Sequence, residues 1–274
     1  MVLSISGLGS QLALNLIDST KDRQIENMRN EAVHKRAEAD FRERIGSISS
    51  PEEFVKDYEV YSFVMRAFDL EDQIFGRGMM RKILESDPSD ETSLVNRLTD
   101  SRFGEIHGAL GFTTASGPQT PNFDSAFWVQ GIVDRYYETV FVAENDAQNE
   151  TVGTVLHFRE KVGDVDSWYD VLKDRDLTQF FQVALGLPSE MSGLEVDMQK
   201  GILESKFDLA KLADPAELER LESRYVAISD ALNAQTTVSS AALSILQNSS
   251  ISGQFVPITI DFSAINYAPS TLYR

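Results

Sequence analysis

The chain has 274 residues, 42% of them hydrophobic, which is enough to build a sizeable core in one large domain or two small ones. A formal net charge of −18 argues against passive electrostatic binding to nucleic acid or to an anionic membrane surface. The absence of cysteine excludes disulfides, thiolate nucleophiles and cysteine-ligated zinc.

The first residues have leucines but no basic stretch ahead of them and no small-residue cleavage pattern, so no cleavable signal peptide is expected. No apolar run approaches the length that spans a bilayer, so no membrane insertion is expected. Residues 25–45 read as one long amphipathic helix, with Ile25, Met28, Ala32, Phe41 and Ile45 at helical spacing and Gly46 placed to end it. Its other face is densely charged, and so thin an apolar stripe needs a surface to pack on, either its own body or another protein. Ile25, Met28, Phe41 and Ile45 are therefore candidate partner contacts.

Ser50-Pro51-Glu52-Glu53 carries a capping serine, a proline at the first helical position and a glutamate at the third. The helix it opens is expected to bury Phe54, Val55, Tyr58, Tyr61, Phe63, Val64, Ala67 and Phe68. A second helix is expected over 71–85, a third from Asp90 with Leu94, Val95 and Leu98, and a fourth capped by Asp100 with Phe103, Ile106 and Leu110. Residues 111–121 form a loop by composition. Helices over 126–142 and 152–162 follow, and Asp214-Pro215-Ala216-Glu217 opens another. From Val226 onward the only charged residues are Asp230, Asp261 and Arg274. Residues 238–246 extend a helix, and 255–267 alternate as an extended tail. Its Phe255, Ile258, Ile260, Phe262, Ile265 and Tyr267 form a second set of candidate partner contacts, suited to pairing with a strand of another chain.

Two stretches resemble each other. Lys56, Asp57, Phe63, Ala67 and Leu70 align without a gap on Lys173, Asp174, Phe180, Ala184 and Leu187. Ile83-Leu84-Glu85-Ser86 recurs as Ile202-Leu203-Glu204-Ser205, and Arg102–Leu110 lies over residues 224–232 with Phe103 answered by Tyr225. The offset drifts from 117 to 119 to 122, as small loop insertions would make it.

Nothing as sharp speaks to chemistry. His34, His107 and His157 fall on separate predicted helices with no pairing at metal-ligand spacing, and His34 reads as solvated. The abundant carboxylates sit mostly where helix caps and first turns favour negative charge. Asp164-Val165-Asp166 lacks the third ligand and the glycine of a calcium loop. No nucleophile elbow, phosphate loop or zinc-protease motif is present. The residues thus point to no catalytic residue, no cofactor and no metal.

The stretches FVMRAFDLED, RKILESDPSD and NRLTDSRF in the first half, with VLHFREK, WYDVLKDRDLTQFFQVALGLP and DMQKGILESKFDL in the second, resemble the domain of unknown function family number 1217 across residues 50–229. Members occur in flagellated alpha-class proteobacteria, some encoded among flagellar genes, so the resemblance implies an association with motility. It implies no reaction and carries no catalytic residues.

The expected architecture is all-α: an N-terminal amphipathic helix within 1–49, a duplicated helical domain over 50–232, and a low-charge segment over 233–274. In the domain, units 50–110 and 167–232 are joined by helical 122–163, with the matched stretches at 52–110 and 169–232. The expected function is a non-catalytic structural or protein-interaction protein, accessory to flagellar assembly or motility, meeting a protein partner or itself through its chain ends. Two alternatives are a ligand-binding or enzymatic helical domain with its site between the units, and an acidic mimic that occupies a basic partner surface. The expected location is cytoplasmic or flagellum-associated.

Overall fold

The computed structural model describes the backbone of residues 2–250 and the side chains of residues 2–233. The chain divides into a compact unit, Met1–Asp230, and a second unit, Ala231–Arg274, described only as helical backbone as far as Ser250. The architecture is helical, apart from a two-residue antiparallel hairpin of Thr113–Thr114 with Gly117–Pro118.

In place of one helix over 25–45, the chain forms α1 (Ser10–Asn30) and α2 (Ala32–Arg44), which meet at Glu31 in extended backbone (φ −70°, ψ 136°). The helix begins earlier than expected because Ala13, Leu14 and Ile17 continue the apolar stripe toward the N-terminus, and all three are buried. Met28, Phe41 and Ile45 are at most 1% exposed, and Ile25 packs against the same core. The stripe therefore packs on the chain's own body: Met28, Phe41 and Ile45 are buried in it, while Ile25 is half-buried at its edge.

The next helix is also two. α3 (Pro51–Lys56) starts under Ser50, whose hydroxyl accepts from the Glu53 N–H as the sequence predicts. The chain then turns a corner at Asp57, which caps α4 (Tyr58–Ala67) by accepting from the Val60 N–H. The helix expected over 71–85 shrinks to a 3-10 turn and α5 (Arg77–Leu84), and the one expected from Asp90 to the single turn of α6 (Leu94–Arg97). α7 (Ser101–Leu110) begins at its predicted cap, Asp100. α8 (Ala126–Asp146) and α9 (Glu150–Lys161) are separated by a corner where Asn149 caps α9. α10 (Trp168–Lys173), α11 (Arg175–Leu185), α12 (Val196–Lys206) and α13 (Pro215–Ser250) complete the described chain. Residues 233–250, of which 238–246 are expected to extend a helix, belong to α13. Phe255, Ile258, Ile260, Phe262, Ile265 and Tyr267 lie outside the described residues.

Helix boundaries recur along the chain at the spacing that separates Asp57 from Asp174. At that offset α1 meets α8, α2 meets α9, α3 meets α10 and α4 meets α11, each end agreeing to within a residue or so. The 3-10 turn Ile45–Ser47 likewise meets Val162–Asp164. Ser50 and Ser167 both cap, and Ser167 forms a full capping box with Asp170.

The ring packing follows the same spacing. Phe63 stacks between Phe41 (4.5 Å) and Tyr136 (4.1 Å), while Phe180 stacks between Phe158 (3.9 Å) and Tyr225 (4.8 Å). Phe41 and Phe158 are offset counterparts, whereas the outer ring comes from α8 in one case and α13 in the other. All six rings are essentially excluded from water, so each triplet is a rigid aromatic column in the core.

Candidate functional site

A cleft of about 360 Å³ opens where the end of α4, α7, α8, α9 and the start of α11 converge. Its wall holds Asp69, Arg102, Arg135, Asp146, His157 and Asp176, and an adjoining recess adds Asp100, Lys173 and Asp174. It is a polar, mixed-charge concavity rather than an apolar ligand pocket.

Asp69 is placed there at a conformational cost. Its φ of 54° lies in the left-handed region, and among the described residues it is the one non-glycine that does so. The turn itself is a helix C-cap: the Asp69 N–H donates to Arg66 O at 3.1 Å and the Leu70 N–H to Met65 O at 2.8 Å. The offset counterpart is Gly186, φ 66°, where the Leu187 N–H donates to Gln182 O at the same 2.8 Å. Glycine makes this turn without strain, and the aspartate in its place puts a carboxylate on the cleft wall. Asp69 Oδ2 accepts from Arg102 at 3.0 Å, and the same guanidinium reaches the Asp69 carbonyl and Asp100 at 2.8 Å. The neighbouring carboxylates hold the Arg102 pKa further above its ordinary value, although burial works against the charge.

Glu105, on the same helix as Arg102, joins Arg135 and Lys161, the latter at 2.8 Å. Burial works to raise the Glu105 pKa, but its two cationic partners outweigh it and hold the carboxyl below the usual range. Arg102, Arg135 and Lys161 are therefore already committed to carboxylates within the protein.

His157 projects from α9 with only 12% of its side chain exposed and sets Nε2 at 3.0 Å from Asp174 Oδ2. The other oxygen of Asp174 accepts from the N–H groups of Asp176 (2.9 Å) and Leu177 (3.0 Å), so the cap of α11 fixes the carboxylate that meets the imidazole. Burial disfavours the charged imidazole, yet the Asp174 hydrogen bond and the charges of Asp174 and Asp176 raise its pKa. Burial likewise opposes ionisation of Asp174, and the imidazole together with the cap hydrogen bonds holds its pKa low. Asp176 completes a group whose donor atoms, one each from His157, Asp174 and Asp176, all lie within 4.8 Å of one another.

Asp146 ends α8 beside Gly153, where an added Cβ would lie 2.6 Å from the Asp146 Cα and nearer still to its side chain. Desolvation, followed by the charges of Asp176, Glu150 and Asp69, raises the Asp146 pKa. This end of the cleft thus carries more negative charge than its own cations offset.

The other two histidines are structural. His34, expected to be solvated, is buried with Nδ1 at 2.9 Å from the Tyr136 hydroxyl, and burial lowers its pKa. It turns inward because it lies on the same side of α2 as Phe41. His107 Nε2 lies 3.0 Å from Ser86 O.

Apolar side chains also stand in water outside the cleft. Phe75 and Phe127 are 96% and 91% exposed, and Met79, Leu194, Val196 and Met198 are also exposed. Phe75 and Met79 align with Leu194 and Met198 at the 119-residue offset of the second matched block. No helix among the described residues is long and apolar enough to cross a membrane.

Residues 67–218 match the family model described as protein of unknown function (DUF1217). The chain belongs to this family. Every residue of the cleft wall, from Phe68 to Gln179, falls inside the matched segment. The fold is similar to the X-ray crystal structure of a protein from Agrobacterium tumefaciens, 25% identical, with a TM-score of 0.71 over 83% of this chain and 96% of that one. The comparison with curated proteins gives no match.

The terminal candidate contacts thus lie outside the part of the chain that the family model covers, whereas the cleft lies within it. His157 carries no local signal in the sequence because Asp174 and Asp176 are 17 and 19 residues away, at the start of another helix. The available signal was the Lys173-Asp174 match to Lys56-Asp57, which marks a helix corner, with an acidic residue two places on in each half.

Proposed function

We propose that this chain is a non-catalytic interaction protein built from two copies of one helical unit, and that it serves flagellar assembly or motility. The observation that carries the interaction reading is the placement of Phe75 and Met79 in the first half and Leu194 and Met198 in the second. Each pair lies at the start of α5 or α12, and each is exposed. A ring 96% exposed contributes nothing to the core, and bare apolar groups at corresponding positions of a chain with net charge −18 suit a protein partner that covers them. The duplication is supported by the recurring helix boundaries, the paired caps Asp57 and Asp174, and the two aromatic columns. The motility assignment rests on the family resemblance.

The test is genetic. A flagellated strain that lacks this protein should swim less in soft agar and regain swimming with the wild-type chain. The Phe75→Ser/Met198→Ser chain, expressed at the same level, should fail to restore it. Full swimming without the protein would overturn the motility assignment, and full rescue by the double variant would overturn the apolar contact.

A further inference from the structure

We propose that His157, Asp174 and Asp176 bind a divalent transition-metal ion, Zn²⁺ or Mn²⁺, at the rim of the cleft. Donor atoms that share an ion at about 2.1 Å sit about 3 to 3.5 Å apart. His157 Nε2 and Asp174 Oδ2, from different helices, already lie 3.0 Å apart, and an Asp176 oxygen is within 4.8 Å of both. A side-chain rotation of Asp176, which makes no hydrogen bond or ion pair through its carboxylate among the described residues, closes the remaining gap. Asp174 is preset for the task, because two backbone N–H groups grip its far oxygen and orient the near one.

The donor set decides the class of ion. One imidazole with two carboxylates suits Zn²⁺ or Mn²⁺, whereas Ca²⁺ and Mg²⁺ favour oxygen alone. Three protein donors leave coordination positions open, and His157 and Asp176 both line the cleft, so water or a small anion could complete the shell from that side. The charge balance points the same way. Arg102, Arg135 and Lys161 are tied to Asp69, Asp100 and Glu105, while Asp146 and Asp176 form no ion pair with an arginine or lysine among the described residues. Exposed Arg175 at the start of α11 is the nearby cation without an ion pair among the described residues, and it can swing into solvent as the metal enters. The first half has no such site: Asp57 occupies the corner but pairs with Arg44, and the counterpart of His157 is Asp40.

Equilibrium dialysis of the full chain against Zn²⁺ and Mn²⁺ should retain one equivalent of at least one of them, with a rise in Tm. Asp176→Asn should weaken that binding tenfold or more and leave the metal-free Tm unchanged. His157→Ala should weaken it as well, and Glu59→Gln, at the matching place in the first half, should not. Three results would each overturn the proposal: no retention of either metal, equal affinity in Asp176→Asn, or Ca²⁺ bound as tightly as both.

Discussion

Asp57 and Asp174 stand at the same corner in the two halves, each capping the helix that follows, yet one is met by Arg44 at 2.7 Å and the other by His157 at 3.0 Å. The turn that ends each of those helices is also shared, but one half places Gly186 in the left-handed position and the other places Asp69. At both points the framework is the same and the chemistry differs. The second half supplies the imidazole and the first half the strained aspartate, and the two meet in one cleft. The cleft wall is therefore assembled from residues on both sides of the offset, Asp69 and Arg102 on one and His157 and Asp176 on the other.

The aromatic columns offer the hardest test of that equivalence. Phe63→Ala and Phe180→Ala should each cost about 3–5 kcal/mol in denaturant unfolding, the range for a fully buried phenylalanine. Costs that differ by more than about 2 kcal/mol would mean that α8 and α13 do not close their columns in the same way.

The two corners should separate with pH. The folded pKa of Asp174 is depressed, so its contribution is present above the unfolded value near 4 and is lost as pH falls through the folded one. The folded pKa of His157 is raised, so its contribution is full below the unfolded value near 6.5 and is lost as pH rises through the folded one. The pair accordingly stabilises the protein most between about pH 4 and pH 6.5. Asparagine keeps the cap but removes the charge, so Asp174→Asn should cost about 1 kcal/mol at pH 6 and less at pH 9. Asp57→Asn should cost about the same at both, because an arginine partner stays charged throughout. Thermal melts at the two pH values check this, and parallel behaviour of the two variants would erase the contrast.

The smallest effect belongs to the exposed apolar pairs. Phe75→Ser and Met198→Ser should each leave the unfolding free energy within about 0.5 kcal/mol of wild type. A larger loss in either would place that side chain in the core.

Local signals in the sequence were read well where a few adjacent residues decide the structure. Ser50 with Pro51, Asp100, and Asp214 with Pro215 marked helix starts because capping depends on side chains within three or four positions. The corners at Glu31 and Asp57 were missed, since apolar spacing runs through both breaks and only tertiary packing selects the bend. Residue identities align from 52 onward, whereas helix boundaries recur at the same offset from Ser10, over a stretch where the side chains show no such likeness. A site between the units is among the expectations from sequence, but the residues that line the cleft are not legible there. His157 meets Asp174 across two helices, and the strain at Asp69 shows only when its turn is laid over that of Gly186.

Gly153 sets a one-way limit on this architecture. With no side chain there, the backbone of α9 already rests against the end of α8 at Asp146, so the two helices cannot come closer. Even alanine would have to push the Asp146 backbone aside. The closeness of the two helices at that end of the cleft thus depends on position 153 carrying only a hydrogen atom, and any larger residue there would prise the junction open.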